Sequence, residues 1–231
     1  MDWKAQEVEV IERCRGKAGE IQLQRRGTEY EIIYNGVFLM ATYNGASEKA
    51  AIREALKKVI ARERGPLSVL MGGLGAGYSL REALDWKEVN RVVVSEIEPA
   101  VIRWNRGSLG QVNDWALSDQ RVVMISGDFV ELLKAEAAAA VRDNSKAYEI
   151  VMVDTDNGSS WLSLPANDYL YRIEGLKLIN HCLVPGGIAC FWCQEREAVF
   201  EKRLVEIYSE VHFNTIMEKT GKEGAYFLAV K

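Results

Sequence analysis

Four stretches of this chain carry residue types that could bind and activate a ligand. Gly72-Gly73-Leu74-Gly75-Ala76-Gly77 is followed by Ser79-Leu80-Arg81-Glu82, which opens a helix. Glycines allow a sharp turn and a close approach of backbone to ligand. A helix N-terminus favours a carboxylate or phosphate. Glu96 stands 19 residues beyond Gly77, where an acid accepts hydrogen bonds from a ribose diol. Asp128 follows Gly127. It can cap a helix or accept a hydrogen bond from an adenine amine, with Phe129 beside the ring. Asp154-Thr155-Asp156-Asn157-Gly158 then brings two carboxylates, able to orient an amine nucleophile or accept its proton. Glu98 reads as a helix-start carboxylate.

Other chemistries lack their residues. A dinucleotide loop needs GxGxxG. After Gly73-Leu74-Gly75 the third position is Tyr78, and after Gly75-Ala76-Gly77 it is Leu80. The P-loop lysine is absent too. Cys190-Phe191-Trp192-Cys193 has CxxC spacing but lies in an apolar strand pattern, where the two thiols face opposite sides. With Cys14 and Cys182 they read as ordinary thiols, and no metal site is expected. His181, half-buried on a helix, and His212, in a hairpin, make no acid–base pair. A net charge of −4 argues against a nucleic-acid partner. Neither an apolar leader nor an 18-residue apolar run is visible, so the cytoplasm is the default and no membrane contact is expected.

The elements that must position these groups alternate. Short apolar strands are predicted at 67–71, 91–96, 121–125, 148–153 and 187–193. Helices are predicted near 77–86, 99–106, 128–141, 168–182 and 196–209. Five βα units imply an α/β fold, a Rossmann-like doubly wound, mostly parallel sheet with both faces buried. A strand–turn–strand over 211–230 adds a terminal antiparallel hairpin of the methyltransferase type. Residues 1–46 read as a small N-terminal antiparallel β-sheet, with period-two Tyr30, Ile32 and Tyr34, an extended run from Val37 to Tyr43 and an Asn35-Gly36 turn. Residues 47–231 read as the nucleoside-binding domain, entered by a helix that Ser47 can cap and Gly65-Pro66 stops. Edges and aromatics of the N-terminal hairpins (Tyr30, Tyr34, Phe38) would be covered by a second copy, so a homodimer is expected.

From Val69 to about Trp192 these motifs resemble the spermidine synthase-like group of S-adenosylmethionine-dependent transferases. The glycine loop through Leu80-Arg81-Glu82, Glu96-Ile97-Glu98, Gly127-Asp128, Tyr148 to Asp154 and Leu183-Val184-Pro185-Gly186-Gly187 carry the resemblance. It implies a site for S-adenosylmethionine or its decarboxylated form, formed by Gly73, Gly75, Gly77, Glu96, Ile97, Asp128, Phe129 and Asp154. Glu96 would hold the ribose and Asp128 the adenine amine, with the glycine loop under the aliphatic tail. Asp154 would lie beside the attacking amine, with Asp156 as helper. The chain also departs from the aminopropyltransferase pattern. Ala76 stands where those enzymes carry Asp, and Leu39 where they carry Gln. Ile52-Arg53-Glu54 replaces Tyr-His-Glu, and Asp154-Thr155-Asp156 replaces Asp-Ser-x-Asp-Pro.

Both reactions open to such a site displace a thioether from a carbon bound to sulfonium, and alignment supplies much of the acceleration. The departures place methyl transfer to a small amine-bearing acceptor first and aminopropyl transfer from decarboxylated S-adenosylmethionine second. A non-catalytic nucleoside-binding module is the reading from another class. Trp161 would serve as a lid or as an apolar anchor for its loop.

Overall fold

The computed structural model describes residues 6–17, 19–62, 65–143, 146–155, 158, 162 and 164–231. The chain opens with an antiparallel meander: β1 (Val8–Arg15), β2 (Glu20–Arg26), β3 (Glu29–Tyr34) and β4 (Val37–Ala41), in that order across the sheet. Asn35 and Gly36 both take positive φ (50° and 75°) in the turn between β3 and β4, as a tight two-residue hairpin requires. Helix α1 (Ala46–Ile60) leads into the second sheet. There β5 (Leu67–Gly72), α2 (Tyr78–Leu84), β6 (Val89–Glu96), α3 (Pro99–Asn105), β7 (Val122–Ser126), α4 (Phe129–Arg142), β8 (Tyr148–Val153), α5 (Ile173–Cys182), β9 (Leu183–Cys193) and α6 (Ala198–Ile207) follow in turn. The chain ends in β10 (Glu210–Met217) and β11 (Glu223–Val230).

The sheet order is β10-β11-β9-β8-β5-β6-β7. The chain runs outward from β5 through β6 and β7, then returns to the other side of β5 as β8. That reversal creates the crevice in which open α/β sheets bind ligands. Pairs β5–β6, β5–β8, β6–β7 and β8–β9 are parallel, and the terminal hairpin joins β9 antiparallel. The central strands are buried on both sides, which is why they read as continuous apolar runs. Alternation still sorts their side chains. Cys190 belongs to the core on the α1 face, with Val69 and Ile150, whereas Cys193 belongs to the opposite core, with Leu70 and Val151. The CxxC spacing is therefore a strand feature, and burial pushes the Cys193 thiol up to about 12.

The N-terminal sheet shares the first of these cores. Ile21, Leu23, Ile32 and Tyr34 pack in one cluster with Leu74, Leu80 and Ala83. Each buried Leu or Ile contributes about 1.5–3 kcal/mol of transfer free energy, so the small sheet is held against the second sheet and its helices by its own apolar face.

Several local expectations are corrected. Ser47 does not cap α1: the N-cap is Gly45, two residues earlier, and the carboxylate of Glu218, far along the chain, accepts the N–H groups of Gly45, Ala46 and Ser47 at 2.8–3.0 Å. Tyr34 is not an exposed edge aromatic but 4% exposed, its ring packed inward. His181 is exposed rather than half-buried. The extended run from Val37 ends at Ala41. The predicted helix over 168–182 divides into a 3-10 stretch, Pro165–Tyr171, and α5. Strand β9 begins at Leu183, earlier than the glycines at 186 and 187 suggested.

Candidate active site

The loops after β5, β6, β7 and β8 meet at one end of the sheet and are bonded to one another. Gly73 N–H donates to the Ser95 carbonyl at 2.9 Å, Asp154 N–H to the Gly72 carbonyl at 2.9 Å, and Gly127 N–H to the Glu96 carbonyl at 3.0 Å. They surround a crevice with about 1070 Å³ of empty space, part of it open to solvent. Gly73, Gly75, Glu96, Ile97, Asp128, Phe129 and Asp154 all line it. Gly77 does not. It starts α2 from a left-handed conformation (φ 78°), and its role is to turn the loop. Asp156 and Trp161 lie outside the described residues.

Glycine is required at 73. Its φ is 91°, and a Cβ there would lie 2.0 Å from the Asp154 carbonyl oxygen. The tight turn thus brings the loop after β5 against the loop after β8. Two side chains not singled out in the sequence hold the next part of the loop from behind. Asn105 Nδ2 donates to the Gly75 carbonyl at 2.8 Å, and Asn113 Nδ2 to the Ala76 carbonyl at 2.9 Å. Both asparagines are 1% exposed. Asn105 ends α3, where an amide with poor helix propensity was a weak signal. Asn113 sits in irregular chain, where no periodicity marks it.

Glu96 closes β6 and is 8% exposed. Its Oε2 accepts the Leu74 N–H at 3.0 Å and its Oε1 the Glu98 N–H at 2.8 Å. Burial pushes its pKa above the ordinary carboxylate value, and the two backbone N–H bonds work against that rise. Asp128 is the N-cap of α4, its carboxylate accepting the Val130 N–H at 2.7 Å. It lines the crevice from that position, so capping and ligand contact are compatible. Phe129 lies over Gly72, where a Cβ would come within 2.2 Å of the ring. A flat apolar wall beside a hydrogen-bond acceptor suits a purine. Asp154 and Thr155 form the edge that follows β8.

The opposite wall comes from elements that the sequence pattern did not place here. Ile21, Ile32, Tyr34, Leu39 and Met40 of the N-terminal sheet line it. Met40 lies against Gly75, its sulfur 2.8 Å from where a Cβ would stand. Ala76 and Leu39 therefore leave this end of the crevice apolar. Glu48, Leu164, Asn167 and Trp192 complete the rim. Ser47 Oγ joins the acids there, at 2.8 Å from Glu48 and 2.7 Å from Glu218, and accepts the Trp192 indole N–H at 2.8 Å. Glu98 does not act as a helix-start acid: in the N-cap position of α3, its side chain makes no capping bond and instead accepts the Tyr34 hydroxyl at 2.9 Å.

The residues fit an adenine nucleoside carrying a cationic sulfur. The strand-end acid Glu96, the helix-capping Asp128 and the ring of Phe129 line one crevice with the glycine turn.

Comparison with known proteins gives concordant results. The family model of the Spermine/spermidine synthase domain matches residues 50–223. A polyamine aminopropyltransferase of Thermoanaerobacter sp. is 32% identical over 126 residues, covering 54% of this chain and 40% of that protein. One from Mycobacterium tuberculosis is 28% identical over 169 residues, covering 73% of this chain and 30% of that protein. The matched region thus spans well under half of those relatives. Among solved structures, spermidine synthase from Thermotoga maritima superposes with TM-score 0.76 over 96% of this chain and 72% of that one, at 15% identity. Human methyltransferase-like protein 13 in complex with SAH superposes at TM-score 0.59 over 79% of this chain and 80% of that one, at 16% identity. Both likenesses establish the fold.

Proposed function

This chain belongs to the spermine/spermidine synthase family, and we propose that it transfers an aminopropyl group from decarboxylated S-adenosylmethionine to a small amine. The observation that supports it is the convergence of Gly73, Gly75, Glu96, Asp128 and Asp154 on one crevice. The names of the relatives favour aminopropyl transfer. That reverses the order expected from the sequence alone, which put methyl transfer first.

The bound sulfonium nucleoside supplies an alkyl carbon attached to positively charged sulfur. Glu96 accepts a hydrogen bond from the sugar, and Asp128 one from the base amine, with Ile97 and Phe129 against the ring. Asp154 orients the acceptor amine and accepts its proton as the new N–C bond forms and the C–S bond breaks. Asp156 is assigned as its helper on sequence alone. The acids around the crevice also favour a cationic acceptor electrostatically. The nitrogen must lie in line behind the carbon, and that alignment is the main contribution of the protein.

Methyl transfer from S-adenosylmethionine is the second reading, favoured by one observation. Ala76 and Leu39, which line the crevice with Met40, stand where the aminopropyltransferase pattern carries Asp and Gln. The experiment is direct. The protein is incubated with either nucleoside and a panel of diamines and monoamines, and products are identified by mass spectrometry. Aminopropylated amine together with methylthioadenosine is expected. Methylated amine would select the second reading, and nucleoside binding without any turnover would leave a binding module.

We also propose that the protein works as a homodimer in the cytoplasm. Val8 and Val10 on the edge strand β1, with Val37 and Phe38 on β4, are exposed, and a second copy would cover them. Sedimentation showing only monomer at high concentration would refute this. No helix among the described residues is long and apolar enough to cross a membrane.

A further inference from the structure

Glu98 is built into the crevice in a way that its position at the start of a helix does not require. Its Oε1 accepts two hydrogen bonds from the N-terminal part of the chain, the Tyr34 hydroxyl at 2.9 Å and the Lys17 backbone N–H at 2.7 Å. Gly16 packs against the same carboxyl, where a Cβ would approach both oxygens to 2.8 Å. The group is thus fixed in orientation by β3 and by the connection between β1 and β2. The residue is 5% exposed and lines the crevice. Its Oε2, by contrast, is buried and has no hydrogen-bond partner among the described residues.

Buried acceptors are nearly always matched by a donor. A carboxylate oxygen held rigidly in a crevice wall, with no protein donor, calls for one that the ligand brings. Glu96 narrows what that donor is. The two acids are tied together, since the Glu98 N–H donates to Glu96 Oε1. Each oxygen of Glu96 already accepts one backbone N–H. A ribose diol presents two O–H donors side by side at this strand end. Asp154, the acid proposed above for the amine, stands on the other side of β5.

We infer that Glu98 is a second acid of the sugar site, its Oε2 accepting one ribose hydroxyl while Glu96 accepts the other. This rests on the nucleoside reading proposed above. It makes the N-terminal sheet part of the nucleoside site, because Tyr34 holds the carboxyl that meets the sugar.

The test is calorimetric titration of the full chain with 5′-deoxy-5′-methylthioadenosine and with its 2′-deoxy and 3′-deoxy analogues. In the wild type, loss of either hydroxyl should weaken binding about tenfold, the scale of one hydrogen bond to a charged group. In Glu98→Met, discrimination against one deoxy analogue should vanish while that against the other persists. Tyr34→Phe, a milder change that guards against misfolding of the first variant, should reduce the same discrimination. A folded Glu98→Met protein that keeps both discriminations would overturn the role of Glu98 alone. So would a wild type indifferent to the loss of either hydroxyl. A wild type that binds none of the three nucleosides would overturn the nucleoside reading itself, and this inference with it.

Discussion

Asn113 donates to the side-chain carbonyl of Asn105 at 2.6 Å, and this buried pair is the support on which the glycine loop rests. Each amide also holds one loop carbonyl, Gly75 by Asn105 and Ala76 by Asn113. Replacing either by Ala leaves a buried carbonyl without its donor, at about 1–3 kcal/mol. Denaturant unfolding of Asn105→Ala and Asn113→Ala should show that loss. Methylthioadenosine affinity should fall as well, because the loop is no longer held in its binding conformation.

Two glycines with similar φ should respond very differently to Ala. At Gly36 (φ 75°) nothing lies within 4 Å of a new Cβ, so only the left-handed backbone is penalised, by about 1–2 kcal/mol. At Gly73 (φ 91°) the Cβ also meets the Asp154 carbonyl at 2.0 Å, so the cost should exceed about 4 kcal/mol or the loop after β8 must move. Thermal unfolding of Gly36→Ala and Gly73→Ala checks the ranking. Equal costs would mean that the two loops are not in contact.

Asp154→Asn keeps size and removes the proton acceptor. Turnover should fall by about 10²–10⁴-fold, with methylthioadenosine affinity little changed, since Glu96 and Asp128 remain. Steady-state rates beside calorimetry separate the two effects. Unchanged turnover would remove Asp154 from the chemistry.

Glu48 and Glu218 share the Ser47 hydroxyl, and their pKa values move in opposite directions. Burial raises the Glu48 pKa. Its ionisation therefore opposes folding at neutral pH, and that penalty disappears as pH falls below its unfolded value. Glu218 is also penalised by burial, but bonds from Ser47 Oγ and three backbone N–H groups outweigh this and lower its pKa. Its contribution is present above its unfolded pKa and lost as pH falls through the folded one. Thermal melts at neutral pH should thus show Glu48→Gln more stable than wild type and Glu218→Gln less stable, by about 1–3 kcal/mol for the lost cap. Both differences should shrink towards pH 4 and below.

The alternation of short apolar strands with helices determined the doubly wound sheet, because strands buried on both faces leave a continuous signal in sequence. The terminal hairpin and the residues at the four strand ends were legible for a related reason: each stands just where a periodic run stops. What the sequence could not show is what closes the crevice. Asn105, Asn113 and Tyr34 act through contacts with distant segments: a poor helix former at the end of α3 was only a weak mark for Asn105, and the period-two pattern around Tyr34 did not show that its ring turns inward. Ser47 was read as a cap because local rules favour a nearby hydroxyl, but a carboxylate from beyond β10 reached the helix end first. Glu98 was read from its place before a helix, and only the packing of the N-terminal sheet turned it inward. Local pattern thus set which elements form and where the strand-end residues fall along the chain, while tertiary packing decided which side chains line the crevice.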